Sequence, residues 1–246
     1  MAPCSADQLM SVWNTGGRAP DHRRLASLLS AVDGDASRAE TLGERNRRLL
    51  GLHRGLVDAA LEASVRCTHC DVDNEVTVPA DAILASPASV SDAQVRVRCR
   101  GQWLSFRLPR MADIEAASRA SSVHDVRRVV LEQCRIAGDL DTMTEADAER
   151  LGREFEARDP AANIVVNITC AGCQRPLRAT VDLAAFVARD LDRVVDALYR
   201  DVDTIASAYG WDEQTILSLP PDRRRRYVNL IATRTHARPL AAKRTP

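Results

Sequence analysis

The sequence predicts an α+β chain, mostly helical, in which two small Cys-x-x-Cys β-hairpins come together as one unit. Three observations predict it. VRCTHCDVDNEVTVPADAIL, starting at Val65, and ITCAGCQRPLRATVDLAAFV, starting at Ile168, align without a gap at an offset of 103 residues. After its cysteines the first copy alternates apolar with polar residues, as a half-buried strand does. On both sides of the copies, apolar residues recur at helical spacing instead.

Segment 1–64 reads as an N-terminal helical region. Leu25, Leu28, Leu29 and Val32 share one helical face, which Gly34 ends. Thr41 and Glu44 in TLGE form a capping box, and Leu49, Leu50, Leu52, Leu56, Val57, Ala60 and Leu61 follow at helical spacing. Segment 65–110 holds the first knuckle and two hairpins. Val76 and Val78 alternate with polar neighbours until Pro79 stops the strand. VRVRCRGQWLSFRLP then pairs Val95, Val97 and Cys99 with Trp103 or Leu104, Phe106 and Leu108. Segment 111–158 is a helical insert with helices at 111–119, 122–137 and 144–158, the last opened by Thr144 and Asp147.

Segment 159–233 carries strands at 163–170 and 177–181 and then a long helix from Asp182. Leu183, Phe186, Val187, Leu191, Val194, Val195, Leu198, Val202, Ile205 and Tyr209 form its apolar stripe, and Gly210 is its C-terminal cap. Two short helices follow, broken at Pro220-Pro221, with Ile216, Leu217, Leu219, Tyr227, Leu230 and Ile231 as their apolar side. Residues 234–246 have no periodicity and read as a flexible tail.

Composition narrows the function classes. The 34 basic and 34 acidic residues cancel, so nothing global pulls the chain toward nucleic acid or an anionic membrane. No apolar run approaches the ~18 residues of a membrane span, and the first residues lack a secretory signal pattern. A cytoplasmic protein is expected. Seven cysteines, four of them in two Cys-x-x-Cys pairs, fit a reduced metal-binding chain better than a disulfide framework.

Zinc favours tetrahedral thiolate ligation, and one Cys-x-x-Cys turn supplies two of four ligands. Cys67, Cys70, Cys170 and Cys173 lie on equivalent copies of one strand-turn-strand unit, so the leading expectation is a single structural zinc per chain, shared about a local pseudo-two-fold axis. Two other readings stand beside it: pairs completed separately by His69, Cys99 or a partner chain, and plain reduced thiols. Cys4, Cys99 and Cys134 are read as an exposed terminal thiol and two small core residues. Arg223 to Arg226 cannot form one basic face on a helix, because consecutive residues point in all directions. Trp211 and Tyr227 flank helix breaks and read as packing anchors. No nucleophile elbow, P-loop or His-Glu-x-x-His motif is present, and His22, His53, His69, His124 and His236 are scattered. A non-enzymatic protein is expected.

Asp159-Pro160-Ala161-Ala162, leading through ITCAGC into VDLAAFV and then AYGWDEQTILSLPPDRRRRYVNLI, resembles a bacterial family encoded with contractile phage tails and phage-like injection systems. That family is similar to baseplate hub assembly proteins of T-even-type phages. RLLGLHRGLVDAALEASVRCTHC and FRLPRMADIEAA extend the likeness over residues 20–232. The resemblance maps Cys67, Cys70, Cys170 and Cys173 onto the family's knuckles. Tyr209, Gly210, Trp211, Glu213, Ile216, Leu217, Arg223 or Arg224, and Tyr227 map onto its ending. It implies a zinc-ribbon-like unit in a baseplate component or assembly factor, cytoplasmic during assembly, with its place in the finished particle left open. It also implies other baseplate or hub proteins as partners, with Trp211, Arg223, Arg224 and Tyr227 as contact candidates. A zinc-ribbon nucleic-acid-binding regulator using Arg223 to Arg226 is the alternative. The family's knuckles carry proline after the first cysteine and glycine after the second. Here CTHCD and CAGCQ have neither, so Asp71 and Gln174 must tolerate the turn or the turn differs.

Overall fold

The computed structural model describes residues 4–17, 19–33, 40–57, 60–78, 80–85, 87 and 94–236. Gly34, Pro79 and the tail from residue 237 onward lie outside the described residues. Three helices lead in: α1 (Ala6–Gly16), α2 (Asp21–Asp33) and α3 (Leu42–Leu56). The first hairpin is β1 (Glu62–Arg66) with β2 (Asp73–Thr77), followed by the short α4 (Ala80–Ala85). Then come β3 (Gln94–Cys99), β4 (Gln102–Arg107), α5 (Met111–Ala117), α6 (Val123–Cys134), β5 (Arg135–Ala137), a 3-10 turn at Leu140–Thr142, and α7 (Glu145–Arg158). The second hairpin, β6 (Val165–Thr169) with β7 (Pro176–Thr180), feeds α8 (Leu183–Tyr209), α9 (Glu213–Ser218) and α10 (Pro221–His236). All strand pairs are antiparallel, in sheets of order β1-β2, β3-β4-β5 and β6-β7.

The main core joins residues far apart in sequence. Leu9 and Trp13 of α1, Leu25, Leu28 and Leu29 of α2, and Leu49, Leu50 and Leu52 of α3 pack on Leu183, Val187, Leu191, Val195 and Leu198 of α8. Val76 and Val78 after one hairpin turn, and Val166 and Val181 around the other, close its end. A second core sits in the segment between the hairpins, where Val95, Val97, Cys99, Leu104, Phe106, Cys134 and Leu151 bury one face of the three-stranded sheet. Phe106 meets Phe155 edge-on, with ring centroids 6.4 Å apart. Among the described residues no helix is long and apolar enough to cross a membrane.

The helix ends follow the local chemistry of the chain. Thr41 and Glu44 form the expected capping box on α3, and Thr144 and Asp147 form one on α7. Asp182 caps α8 by accepting from the Ala185 amide, and Gly210 ends it in the left-handed region at φ 69°. Four expectations are corrected. The helical reading of 5–64 stops at Leu56, since β1 begins at Glu62 rather than at Val65. The helix expected over 122–137 ends at Cys134, because 135–137 pairs as β5 along β4. After Pro220 the chain forms a 16-residue helix that continues beyond Thr233 to His236, so 234–236 is helical rather than tail. Cys4 is half-buried against the main core rather than an exposed thiol.

One feature of this core has no sequence pattern behind it. Asp159, after α7, is 2 % exposed, and its carboxylate accepts from the Gly43 amide in the first turn of α3 at 2.9 Å. A carboxylate there satisfies a helix-end donor and opposes the positive end of the helix dipole. Asn46 adds a second link, donating to the Ala161 carbonyl at 2.8 Å. A Cβ on Gly43 would lie 1.7 Å from Asp159 Oδ1, so only glycine admits the contact. Gly43→Ala is therefore expected to destabilise the protein by about 2 kcal/mol, read as a lowered midpoint in urea denaturation; an unchanged midpoint would show that Asp159 moves aside freely.

Candidate metal centre

Each hairpin turn is built by the same backbone bonds. In the first, Asp71 N donates to Cys67 O at 3.0 Å and Cys67 N to Val72 O at 2.9 Å; in the second, Gln174 N donates to Cys170 O and Cys170 N to Arg175 O, both at 2.9 Å. Strand register agrees pair for pair: Arg66 faces Asp73 and Thr169 faces Pro176. Asp71 and Gln174 adopt φ 58° and 59°, so the turn keeps its left-handed residue without glycine. Aspartate and glutamine bear that conformation at a cost of about 1 kcal/mol each.

The two turns meet. The four cysteine sulfurs all lie within 4.8 Å of one another, with Cys67 Sγ to Cys173 Sγ at 3.7 Å and Cys70 Sγ to Cys170 Sγ at 3.6 Å. Those two contacts exchange under the 103-residue offset, and so do two others. Arg175 lies 3.3 Å from His69 Nδ1, while a Cβ on Gly172 would sit 2.8 Å from Val72 Cγ2. Contacts that exchange in this way relate the hairpins by a local two-fold axis. A tetrahedron with metal–sulfur bonds of ~2.3 Å has edges of ~3.8 Å, so the sulfur spacing fits one four-coordinate ion. It is too long for disulfides, whose sulfurs lie at ~2.05 Å.

The electrostatics favour a thiolate at the centre. Amides of Cys173 and Gly172, with hydrogen bonds from the Cys70 and Cys67 thiols, hold Cys170 down to about 6. The Val72 amide favours a Cys70 thiolate, yet desolvation and the neighbouring thiols outweigh it and push Cys70 up to about 12. A divalent cation would replace the shared protons and let all four act as ligands. Cys67 and Cys170 are fully buried, Cys173 is half-buried and Cys70 is exposed, so the centre lies near the surface beneath one knuckle.

Asn74 breaks the symmetry. Its equivalent in the second copy is Leu177. Asn74 is 6 % exposed, and Nδ2 donates to the Val65 and Val72 carbonyls and lies 3.7 Å from Cys170 Sγ. Its Oδ1 accepts from the Ala171 amide in the other knuckle at 2.8 Å. One side chain thus ties both turns and orients a ligand. A polar asparagine at the position where the second copy carries leucine is the sequence signal that marks it.

The other candidates separate by location. Cys99 and Cys134 belong to the second core, away from the cluster, and burial raises both thiols, Cys134 to about 12. His69 sits against Arg175. His53 is paired with Asp190 at 2.9 Å in the buried contact of α3 with α8, a link that sequence spacing did not reveal. Arg224 is only 6 % exposed, bound to Asp201 of α8 at 3.1 Å and to the Leu219 carbonyl, whereas Arg223, Arg225 and Arg226 point outward. Trp211, Tyr209 and Tyr227 form one aromatic cluster with centroid separations of 5.1 to 5.6 Å. These packing roles leave Arg223, which lies 6.0 Å over the Tyr227 ring, as the outward member of the four C-terminal contact candidates.

Asn74→Leu, which copies the second knuckle into the first, is expected to cost about 2 kcal/mol by leaving the Ala171 amide unpaired, measured by denaturation. Asp71→Gly and Gln174→Gly are each expected to stabilise by about 1 kcal/mol, seen as a higher thermal midpoint; a fall in either would mean that the side chain matters more than the backbone strain. Comparison of the chain with family models, curated proteins and solved structures finds no match.

Proposed function

We propose that this chain is a non-enzymatic structural or assembly component of the baseplate of a contractile phage tail-like particle, held in shape by one structural zinc in a zinc-ribbon-like unit. The observation that carries the structural part is the convergence of Cys67, Cys70, Cys170 and Cys173 on one point. Four thiolates suit zinc over harder cations, and a full thiolate shell leaves no open position for a substrate or an activated water. Such a site contributes to folding rather than to chemistry.

The baseplate part rests on the resemblance, and the packing of the ending supports it. Tyr209, Trp211 and Tyr227, which carry the likeness together with Arg223 or Arg224, form with Arg224 a coherent junction that fixes α10 on α8. Partners would then be other baseplate or hub proteins, met in the cytoplasm during assembly. The nucleic-acid alternative asks Arg223 to Arg226 for a common basic face. With Arg224 turned inward to Asp201, that face has lost a member.

The reading is tested on the purified protein and in the particle. About one zinc per chain is expected by elemental mass spectrometry, and Cys67→Ser or Cys170→Ser should lose metal and cooperative folding together. Two retained metals, or none with full stability, would overturn the shared site. Deleting the gene should leave no particles with baseplates in electron micrographs; intact particles would overturn the assembly role.

A further inference from the structure

The three-stranded sheet between the knuckles has an outer face that the zinc unit does not use. Its inner side is the second core, with Val95, Val97, Leu104 and Phe106 buried. On the outer side, Trp103 is 61 % exposed and stands directly across from Arg98. Arg96 lies two residues along the same strand, ~6.8 Å away, and Arg100 occupies the turn at φ 46°. Ile136 of the adjoining strand is 49 % exposed.

Nearby arginines are neutralised within the chain: Arg107 pairs with Asp113 and Arg150 with Asp147. Among the described residues Arg96, Arg98 and Arg100 have no carboxylate within ion-pair distance. Charges on an edge strand can serve to prevent strand pairing. That explains the arginines but not a solvent-facing tryptophan beside them, which adds the kind of apolar surface such protection removes. Arg150 also donates to the Arg98 carbonyl at 2.8 Å, occupying part of the free edge. A partner therefore meets the face of the sheet and does not add a strand to it.

We propose that this outer face of β3 and β4 is a docking surface for a neighbouring protein whose contact region is an apolar notch bordered by carboxylates. The inference rests on the baseplate reading and gives that reading a contact site distinct from the aromatic junction at the C-terminal end. Tryptophan and arginine are the residues that most often dominate binding energy at protein interfaces, and unpaired rim charges select a partner of opposite sign. A single aromatic residue and a chain of zero net charge fit a protein neighbour better than a nucleic-acid strand, which calls for successive stacking platforms.

The test uses the full-length chain, affinity-tagged and co-expressed with the sheath, tube and baseplate proteins encoded beside it, with retained partners quantified by mass spectrometry. Trp103→Ala, and Arg96→Glu, Arg98→Glu and Arg100→Glu together, should each lower the retained partner by about 10-fold or more. Leu230→Ala, at another exposed apolar site, should leave retention unchanged. Circular dichroism and metal content should match wild type in every variant. Wild-type retention by both hairpin variants would overturn this inference alone. Failure of the wild type to retain any of these proteins would overturn the baseplate reading and this inference with it. Binding of a fluorescein-labelled oligothymidylate by the wild type that Trp103→Ala abolishes would overturn it in favour of single-stranded nucleic acid.

Discussion

Four cysteine sulfurs drawn to one point join two hairpins that stand 99 residues apart between Cys70 and Cys170. Closing a loop of that length has an entropic cost that grows only slowly with further residues. A four-coordinate ion is an effective way to meet it, because a site absent from the unfolded chain contributes its binding energy to folding. The segment between can then form its own sheet and core while the knuckles fix where its ends return.

Contacts made by other side chains continue the same closure. Asn74 crosses from one knuckle to the other, His53 meets Asp190 between α3 and α8, and Asp159 reaches back to the Gly43 amide. None is a surface ion pair of the kind that contributes little; each gives a buried side chain, Asn74, His53 or Asp159, a hydrogen-bond partner in a distant part of the chain. The two halves thus meet along α3 and α8 as well as at the cysteines. A metal held by the cysteines would anchor one end of that contact, and the apolar side chains of the two helices hold the rest.

Much of this was legible because it is written as period and repetition. The 103-residue offset pointed to the cysteine cluster, and the capping pair Thr41 and Glu44 and the stripe from Leu183 to Tyr209 marked two helices. What stayed hidden depends on backbone pairing or on distant partners. Residues 135–137 have no alternating burial, all three side chains being exposed, so only their bonds to β4 make them a strand. Asp159 read as part of a family signature, with no local sign that it meets Gly43. In the arginine run, Asp201 on another helix and the Leu219 carbonyl distinguish Arg224 from its neighbours. The missing glycines at Asp71 and Gln174 looked like the weakest point of the metal reading, and both residues hold the left-handed conformation with matching backbone bonds.

The repeat also explains why the two copies need not end alike. After the first hairpin the chain makes only the short α4, while after the second it runs into the 27 residues of α8. At ~1.5 Å per residue that helix is a rod of about 40 Å, reached from the second knuckle through β7 and followed at its far end by Trp211. The stacked Tyr209 and Trp211, the edge-on Tyr227 and the buried Arg224–Asp201 pair fix α10 to its far end. β7 and α8 together thus connect the second knuckle to the C-terminal helices. On the proposed baseplate role, holding neighbours at fixed angles would call for such a rod. The cysteine cluster and the aromatic junction of the C-terminal helices would then be the two ends of one device.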